Sequence, residues 1–177
     1  IADVLIDFIA LEYHETVMGM GGDLAYKWLD QLIKDTAGNS QPFVLVVEGA
    51  IQPKEGGGYW NKTGAAPWCS IGMSEADDGH GQPVGELSFD DVVAGLASHS
   101  KCKVIIPIGQ CATFGGYPAA VSPVLGSGQT GAKGTFKFLD DHSAGPIKDA
   151  AQKVVNVPGC PTNPWWFILS VVAGLLK

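Results

Sequence analysis

The chain has 177 residues, enough for one domain with a complete hydrophobic core. Its net charge is −7 and all eleven basic residues are lysines, so the arginine forks that favour phosphate binding are missing. This composition argues against nucleic acids and against anionic membrane surfaces as partners. We therefore predict a single domain over residues 1–177 and no nucleic-acid partner.

The amino-terminal half of the chain alternates apolar runs with a helical pattern. Val4 to Leu11 and Phe43 to Val47 are apolar on both faces, which is typical of strands in a covered parallel sheet. Between them, Asp23 to Lys34 places its apolar side chains on one face of a helix. The glycine-rich stretch 49–85 predicts an elaborated loop with room for a hairpin.

The carboxyl-terminal half repeats this alternation. Ser88 to Ser98 begins with a variant of the capping box, and Pro146 to Lys153 is a shorter helical pattern. Val104 to Ile108 and Val154 to Val157 predict two more strands. Asn163-Pro164 predicts the start of a last helix, with Asn as the cap and Pro at the first helical position. The whole pattern predicts an α/β fold with a doubly wound parallel sheet.

The last helix contains the longest apolar run of the chain, Trp165 to Leu176, broken by Ser170 and Gly174. A bilayer requires about 20 residues, so this run predicts a buried or interface helix and no transmembrane segment.

Two cysteines lie in turns that directly follow predicted strands. Cys111 lies in the turn from Gly109 to Gly116, and Cys160 lies in the turn from Pro158 to Pro164. Ligands collect beyond the carboxyl ends of strands in such sheets, and glycines allow the backbone to approach a metal cluster closely. The residues alone leave metal ligation, a disulfide and a plain buried thiol open, with metal ligation favoured.

The other candidate groups have simpler interpretations. Carboxylates and a phenol follow the first two strands, at Tyr13, Glu15 and Glu48, and His14 is a candidate structural hydrogen-bond donor beside them. We predict that Cys69 and Cys102 are small buried side chains. The segment from Gly126 to Gly131 matches G-x-G-x-x-G, but it follows no convincing strand, so we predict a surface loop there.

Five segments occur in a specific order along the chain: Asp7 to Met18, Val47 to Ile51, Cys111 to Gly116, Thr130 to Gly134 and Val157 to Pro164. Together they make the chain resemble the small subunit of nickel–iron hydrogenases, along nearly its whole length. The resemblance implies a flavodoxin-like, three-layer domain that binds the proximal 4Fe-4S cluster. It also implies that Cys111 and Cys160 supply two of the cluster's four thiolates.

The resemblance further implies a heterodimer and an electron path. A large subunit would hold the Ni-Fe centre and split H2 into two protons and two electrons. Electrons would leave through this chain to an acceptor such as a cytochrome or a quinone-linked subunit. Tyr13, Glu15 and Glu48 match positions near proton and water routes. A periplasmic or membrane-associated location follows from the same resemblance.

The chain also departs from the family pattern. The other two cluster cysteines of the family form a Cys-x-x-Cys motif upstream of the position of Ile1, and many relatives add a carboxyl-terminal domain with further iron–sulfur clusters. We therefore expect this chain to be a piece of a longer subunit. Gly116 stands where oxygen-tolerant members carry an extra cysteine, which favours an ordinary proximal cluster.

Two other functions stay open from the sequence. One is the related cluster-binding subunit of respiratory complex I. The Tyr-His-Glu-Thr segment and the Gly-Cys-Pro-Thr-Asn-Pro turn favour a hydrogenase over this subunit. The other is a metal-free flavodoxin-like binding module, which would require a phosphate loop after the first strand. The acidic segment from Glu12 to Glu15 would repel phosphate there.

Overall fold

The computed structural model describes residues 10–35, 41–54, 68–73, 86–120 and 130–175. In chain order its elements are α1 Gly22–Lys34, β1 Phe43–Glu48, β2 Ser70–Met73, β3 Glu86–Ser88, α2 Phe89–Ser98, β4 Cys102–Ile108, α3 Gly109–Phe114, α4 Gly116–Ala119, α5 Thr135–Asp140, α6 Pro146–Asp149, a 3₁₀ turn Ala150–Lys153 and α7 Pro164–Leu175.

The centre of the sheet is β4. It pairs in parallel with β1, in a register that sets Glu48 opposite Ile108. On its other side, Ile105 and Ile108 form parallel bridges with Val154 and Val157. Among the described residues, the predicted strands at 43–47 and 104–108 pair in parallel, whereas the segment 154–157 forms two isolated parallel bridges with β4 and is not itself a strand. The carboxyl ends of all three segments lie at the same edge.

Helices cover both faces of this sheet. On one face, Ile105 belongs to a core cluster with Leu139 of α5, and on the other, Ile106 packs with Phe167 and Val171 of α7. Ile105 and Ile106 are both fully buried, which is why this strand is apolar without alternation. The predicted doubly wound α/β fold is thus confirmed, with three layers.

The predicted helix starts follow the expected chemistry. The Ser88 hydroxyl accepts a hydrogen bond from the Asp91 amide at 3.4 Å, and Asn163 Oδ1 accepts one from the Trp165 amide at 3.0 Å. These side-chain acceptors satisfy amides that have no partner inside the helix.

Other predictions differ from the structure or lie outside the described part of it. Residues 4–9 of the first predicted strand, Val4 to Leu11, lie outside the described residues, and Ala10 and Leu11 are not in a strand. Most of the Gly126 to Gly131 loop is outside as well. The short helices α3, α4 and α5 were not predicted, because four to six residues are too few for a helical period to be recognised. β2 lies within the predicted loop of residues 49–85, and β3 begins directly after it. The two strands form an antiparallel pair.

The two remaining cysteines have different environments. Cys102 is buried at the start of β4, at the opposite end of the strand from Cys111, as predicted. Burial raises the pKa of its thiol to about 11. The prediction was wrong for Cys69, which is exposed because it lies in the turn before β2, outside the covered sheet. None of the helices among the described residues is long and apolar enough to cross a membrane.

Candidate functional site

The turns that carry Cys111 and Cys160 lie side by side at the carboxyl edge of the sheet. The Gly109 amide donates a hydrogen bond to the Val157 carbonyl at 2.9 Å, and the Gln110 amide donates one to the Gly159 carbonyl at 2.8 Å. The residue before each cysteine is therefore bonded to the residue before the other. The structure brings together the two cysteines that the sequence singled out.

Cys111 lies in the first turn of α3 and is half-buried. A Cβ atom at Gly116 would lie only 2.7 Å from the Cys111 sulfur, and Gly116 has a φ of +50°. Both observations favour glycine at this position, since other residues rarely adopt this conformation and a side chain there would contact the thiol. Gly116 therefore leaves the space beside the sulfur open.

Cys160 is exposed, and its peptide bond to Pro161 is cis. The Thr162 hydroxyl lies 3.5 Å from the carbonyls of both Val157 and Gly159, within the same turn. Like the other three cysteines, Cys160 is a free thiol.

The segment from Thr130 to Thr135 supports the Cys111 helix from outside. The buried Thr135 hydroxyl donates to the Ala112 carbonyl at 3.0 Å, and Gly134 lies directly against the Thr113 carbonyl. Lys133 exchanges two backbone hydrogen bonds with Ile51, at 2.8 and 2.9 Å. The Thr130 to Gly134 motif therefore has a structural reason: it places Thr135 where α3 ends. The sequence of the motif alone does not indicate this role.

We expect Thr135→Val to destabilise the protein by about 1–3 kcal/mol, measured as the free energy of unfolding in urea. Ala112 is among the last four carbonyls of α3, which have no partner inside the helix, so removing the hydroxyl leaves this carbonyl without its donor. Thr135→Ser is the matched control: it keeps the hydroxyl and loses one methyl group, worth about 0.8 kcal/mol. A valine variant at least as stable as the serine variant would contradict this role.

The three proposed proton-route residues fall into two groups. Tyr13 packs beside Leu29 and Val92, and burial raises the pKa of its phenol, with further increases from Glu15 and Cys69. Glu48 is exposed at the end of β1, opposite Ile108 and thus next to the Cys111 turn. Between the described residues, no hydrogen bond joins Glu48 to Tyr13 or Glu15. The structure therefore brings Tyr13 close to Glu15, and Glu48 close to the cysteines.

His14 differs from its predicted role as a hydrogen-bond donor. Its Nδ1 atom accepts hydrogen bonds from the backbone amides of Thr16 and Val17, at 3.0 and 3.3 Å. An acceptor nitrogen carries no proton, so the proton of the neutral ring is on Nε2. No sequence signal distinguishes a histidine donor from a histidine acceptor.

The residues at this edge fit part of an iron–sulfur cluster site. Cys111 and Cys160 are free thiols in adjacent turns, and Gly116 leaves the volume beside the Cys111 sulfur unfilled. Thiolates are the normal ligands of such clusters. Among the described residues, no three His, Cys, Asp or Glu side chains form a group that could bind a metal ion. The described part of this edge therefore offers two free thiols and no third candidate ligand beside them.

Large apolar side chains are exposed on both sides of the cysteines. Phe114 and Tyr117, which follow Cys111, are 60% and 92% exposed, and Trp165, Trp166 and Leu169 of α7 are 54–63% exposed. Exposed aromatic surface of this kind is typical of protein–protein interfaces.

Comparisons with known proteins agree with this architecture. A family model described as NADH ubiquinone oxidoreductase, 20 Kd subunit, matches residues 1–174. The chain is 32% identical over 173 residues to the periplasmic NiFeSe hydrogenase small subunit of Desulfomicrobium baculatum, covering 98% of this chain and 46% of that protein. It is also 32% identical to the periplasmic NiFe hydrogenase small subunit 1 of Nitratidesulfovibrio vulgaris, covering 96% and 41%.

A solved structure extends the comparison to the fold. The H2-activated NiFeSe hydrogenase of Dm. baculatum matches with a TM-score of 0.70 at 30% identity, over 99% of this chain and 53% of that chain. The chain thus spans about half the length of these relatives. These findings confirm the resemblance drawn from the five segments and the flavodoxin-like fold that it implies.

Proposed function

This chain belongs to the family of the NADH ubiquinone oxidoreductase 20 kDa subunit, and on that premise we propose that it is the cluster-binding domain of a nickel–iron hydrogenase small subunit. It passes electrons between a Ni-Fe site in a large subunit and an external acceptor, through a proximal 4Fe-4S cluster. The observation that carries this proposal is the backbone bonding between the Cys111 and Cys160 turns, which brings two free thiols to one sheet edge.

Cys111 and Cys160 would bind the cluster and supply two of its four thiolates. When bound, the cluster supplies one-electron transfer, and its potential depends on ligands, hydrogen bonds and burial. Gly116 leaves space beside one thiolate, and Thr135 supports the helix that carries it. The role of this chain is to fix the position and the surroundings of the cluster.

The acidic and phenolic side chains at this edge suit proton movement. Glu48 is exposed next to the Cys111 turn, so its carboxylate is accessible to water and to a partner surface at this edge. Burial raises the pKa of the Tyr13 phenol, so the phenol stays protonated at neutral pH and is able to donate a hydrogen bond. We propose that these three residues border a proton or water route to the large subunit.

The partner is a hydrogenase large subunit that contains the Ni-Fe centre. The exposed aromatic side chains beside both cysteines support an interface at this edge, because electrons tunnel only over short distances and the cluster must lie near the boundary. A cytochrome or a quinone-linked subunit would accept the electrons. The periplasmic names of the two relatives support a periplasmic or membrane-associated location.

A second candidate is the related cluster-binding subunit of complex I, which the description of the matching family names. It would use the same thiolates and no nickel. The hydrogenase names of the relatives favour the first candidate.

The test is electron paramagnetic resonance with iron and nickel analysis of the complex, purified without oxygen from the native gene. We expect a reducible iron–sulfur signal in this subunit and nickel in its partner. Iron and sulfide without nickel would instead support the complex I type of subunit. A complex that contains no iron, or a yellow protein that releases flavin on denaturation, would refute both.

A further inference from the structure

The segment that carries Tyr13 and Glu15 contains a turn closed by one histidine side chain. His14 Nδ1 accepts from the amides of Thr16 and Val17, and the His14 carbonyl accepts from the Met18 amide at 3.0 Å. Three backbone amides in a row thus find their acceptors on His14 alone. Short polar side chains that bond amides two and three residues ahead stabilise turns in the same way.

Packing contributes little to this turn. Glu15, Thr16 and Val17 are exposed, and Val17 is 72% exposed in spite of its apolar side chain. With little buried surface, the hydrogen bonds to His14 are the main constraint on the position of Glu15.

The residue before the turn is constrained differently. Tyr13 packs against the cluster around Leu29, and Trp28 Nε1 donates a hydrogen bond to the Glu12 carbonyl at 3.0 Å. Loss of the His14 ring would therefore release Glu15 and leave Tyr13 in place. The two neighbouring residues are constrained by separable contacts.

From this geometry we propose that His14 is a positioning residue for Glu15. The His14 ring closes the turn and holds the backbone that carries the Glu15 carboxylate, two residues after Tyr13. This inference rests on the proposed function, because the position of Glu15 matters to the reaction only if the segment borders a proton route.

The chain contains a matched control. His99 Nδ1 accepts a hydrogen bond from the Lys101 amide at 3.1 Å, in the same kind of local turn. This turn lies at the opposite end of the sheet, directly before Cys102 and β4. His99→Ala removes a similar bond at the end of the sheet opposite Cys111 and Cys160.

The experiment compares His14→Ala, His14→Asn and His99→Ala in the intact complex. The first readout is amide hydrogen exchange by mass spectrometry over residues 14–18. We expect His14→Ala to exchange about tenfold faster there, the equivalent of losing about one hydrogen bond. Asparagine can accept from the same amides, so His14→Asn should keep the slow exchange.

The second readout is isotope exchange between H2 and D2O, which requires proton movement but no external electron acceptor. We expect a decrease of about tenfold for His14→Ala, restoration by His14→Asn and no change for His99→Ala, by analogy with residues that position catalytic groups. Restoration by asparagine separates positioning from a need for the imidazole itself.

Unchanged amide exchange in His14→Ala would overturn the proposal, because it would show that the His14 ring does not hold the turn. Faster amide exchange with unchanged isotope exchange, or no rescue by asparagine, would overturn the positioning role. If the proposed function itself is wrong, the wild-type complex contains no nickel and shows no isotope exchange. The proposed role of His14 is then wrong as well. Amide exchange requires no metal, so it tests the structural role of His14 separately from the proposed hydrogenase function.

Discussion

Replacing Cys111 or Cys160 by serine is expected to remove the proximal cluster. A serine hydroxyl stays protonated at neutral pH and is a poor iron ligand, whereas clusters of this kind use thiolates. Substitutions of residues that only support metal ligands already cost 10- to 100-fold, so we expect hydrogen-dependent reduction of the acceptor to fall by more than about 100-fold. The iron content of the subunit and its paramagnetic resonance signal should fall together.

Cys69→Ser is the control for this experiment. Cys69 is an exposed free cysteine like Cys160, but it lies before β2 and not in either of the two bonded turns. Its replacement should leave iron content and turnover unchanged. Full iron content in both Cys111→Ser and Cys160→Ser would refute the assignment of these thiolates.

The second large effect is expected from Gly116→Ala, which adds a single methyl group beside the Cys111 sulfur. The new Cβ would lie 2.7 Å from Sγ, so the thiol or the backbone must move. The positive φ of +50° adds about 1–2 kcal/mol of strain for any residue but glycine. We expect cluster occupancy to fall at least about tenfold, measured as iron per subunit after anaerobic purification.

Gly22→Ala separates the two causes. Gly22 has nearly the same conformation, with a φ of +55°, and it is also the first residue of a helix, but nothing lies within 4 Å of a Cβ built there. This variant should lose stability from backbone strain and keep its cluster. Equal losses of iron in Gly116→Ala and Gly22→Ala would show that strain alone, and not contact with the thiol, causes the effect.

Much of the fold could be predicted because burial leaves a local pattern in the sequence. Ile105 and Ile106 lie on opposite faces of β4 and are both buried, so the strand is continuously apolar and was recognised as such. Asn163 was recognised as a helix cap because its oxygen bonds an amide only two residues away. Local chemistry of this kind is visible in the order of the residues.

The chemistry-bearing side chains were predicted less evenly. Cys111 and Cys160 could be singled out, since each follows an apolar run that ends in a glycine- or proline-bounded turn. Cys69 was expected to be buried by the general tendency of cysteine, and the structure exposes it in a turn outside the sheet. Residue type predicts average burial, but the exposure of one side chain depends on which elements pack over it.

The sequence by itself determined the alternation of strands and helices, the parallel sheet and the two turns that carry cysteines. Only the tertiary structure decided that the Gln110 amide bonds the Gly159 carbonyl, that the Thr135 hydroxyl reaches the Ala112 carbonyl, and that the His14 ring accepts hydrogen bonds. The first two contacts join residues 49 and 23 positions apart, and they depend on the register of the sheet. The third depends on the direction of one side chain, and neither register nor direction is encoded in a local pattern.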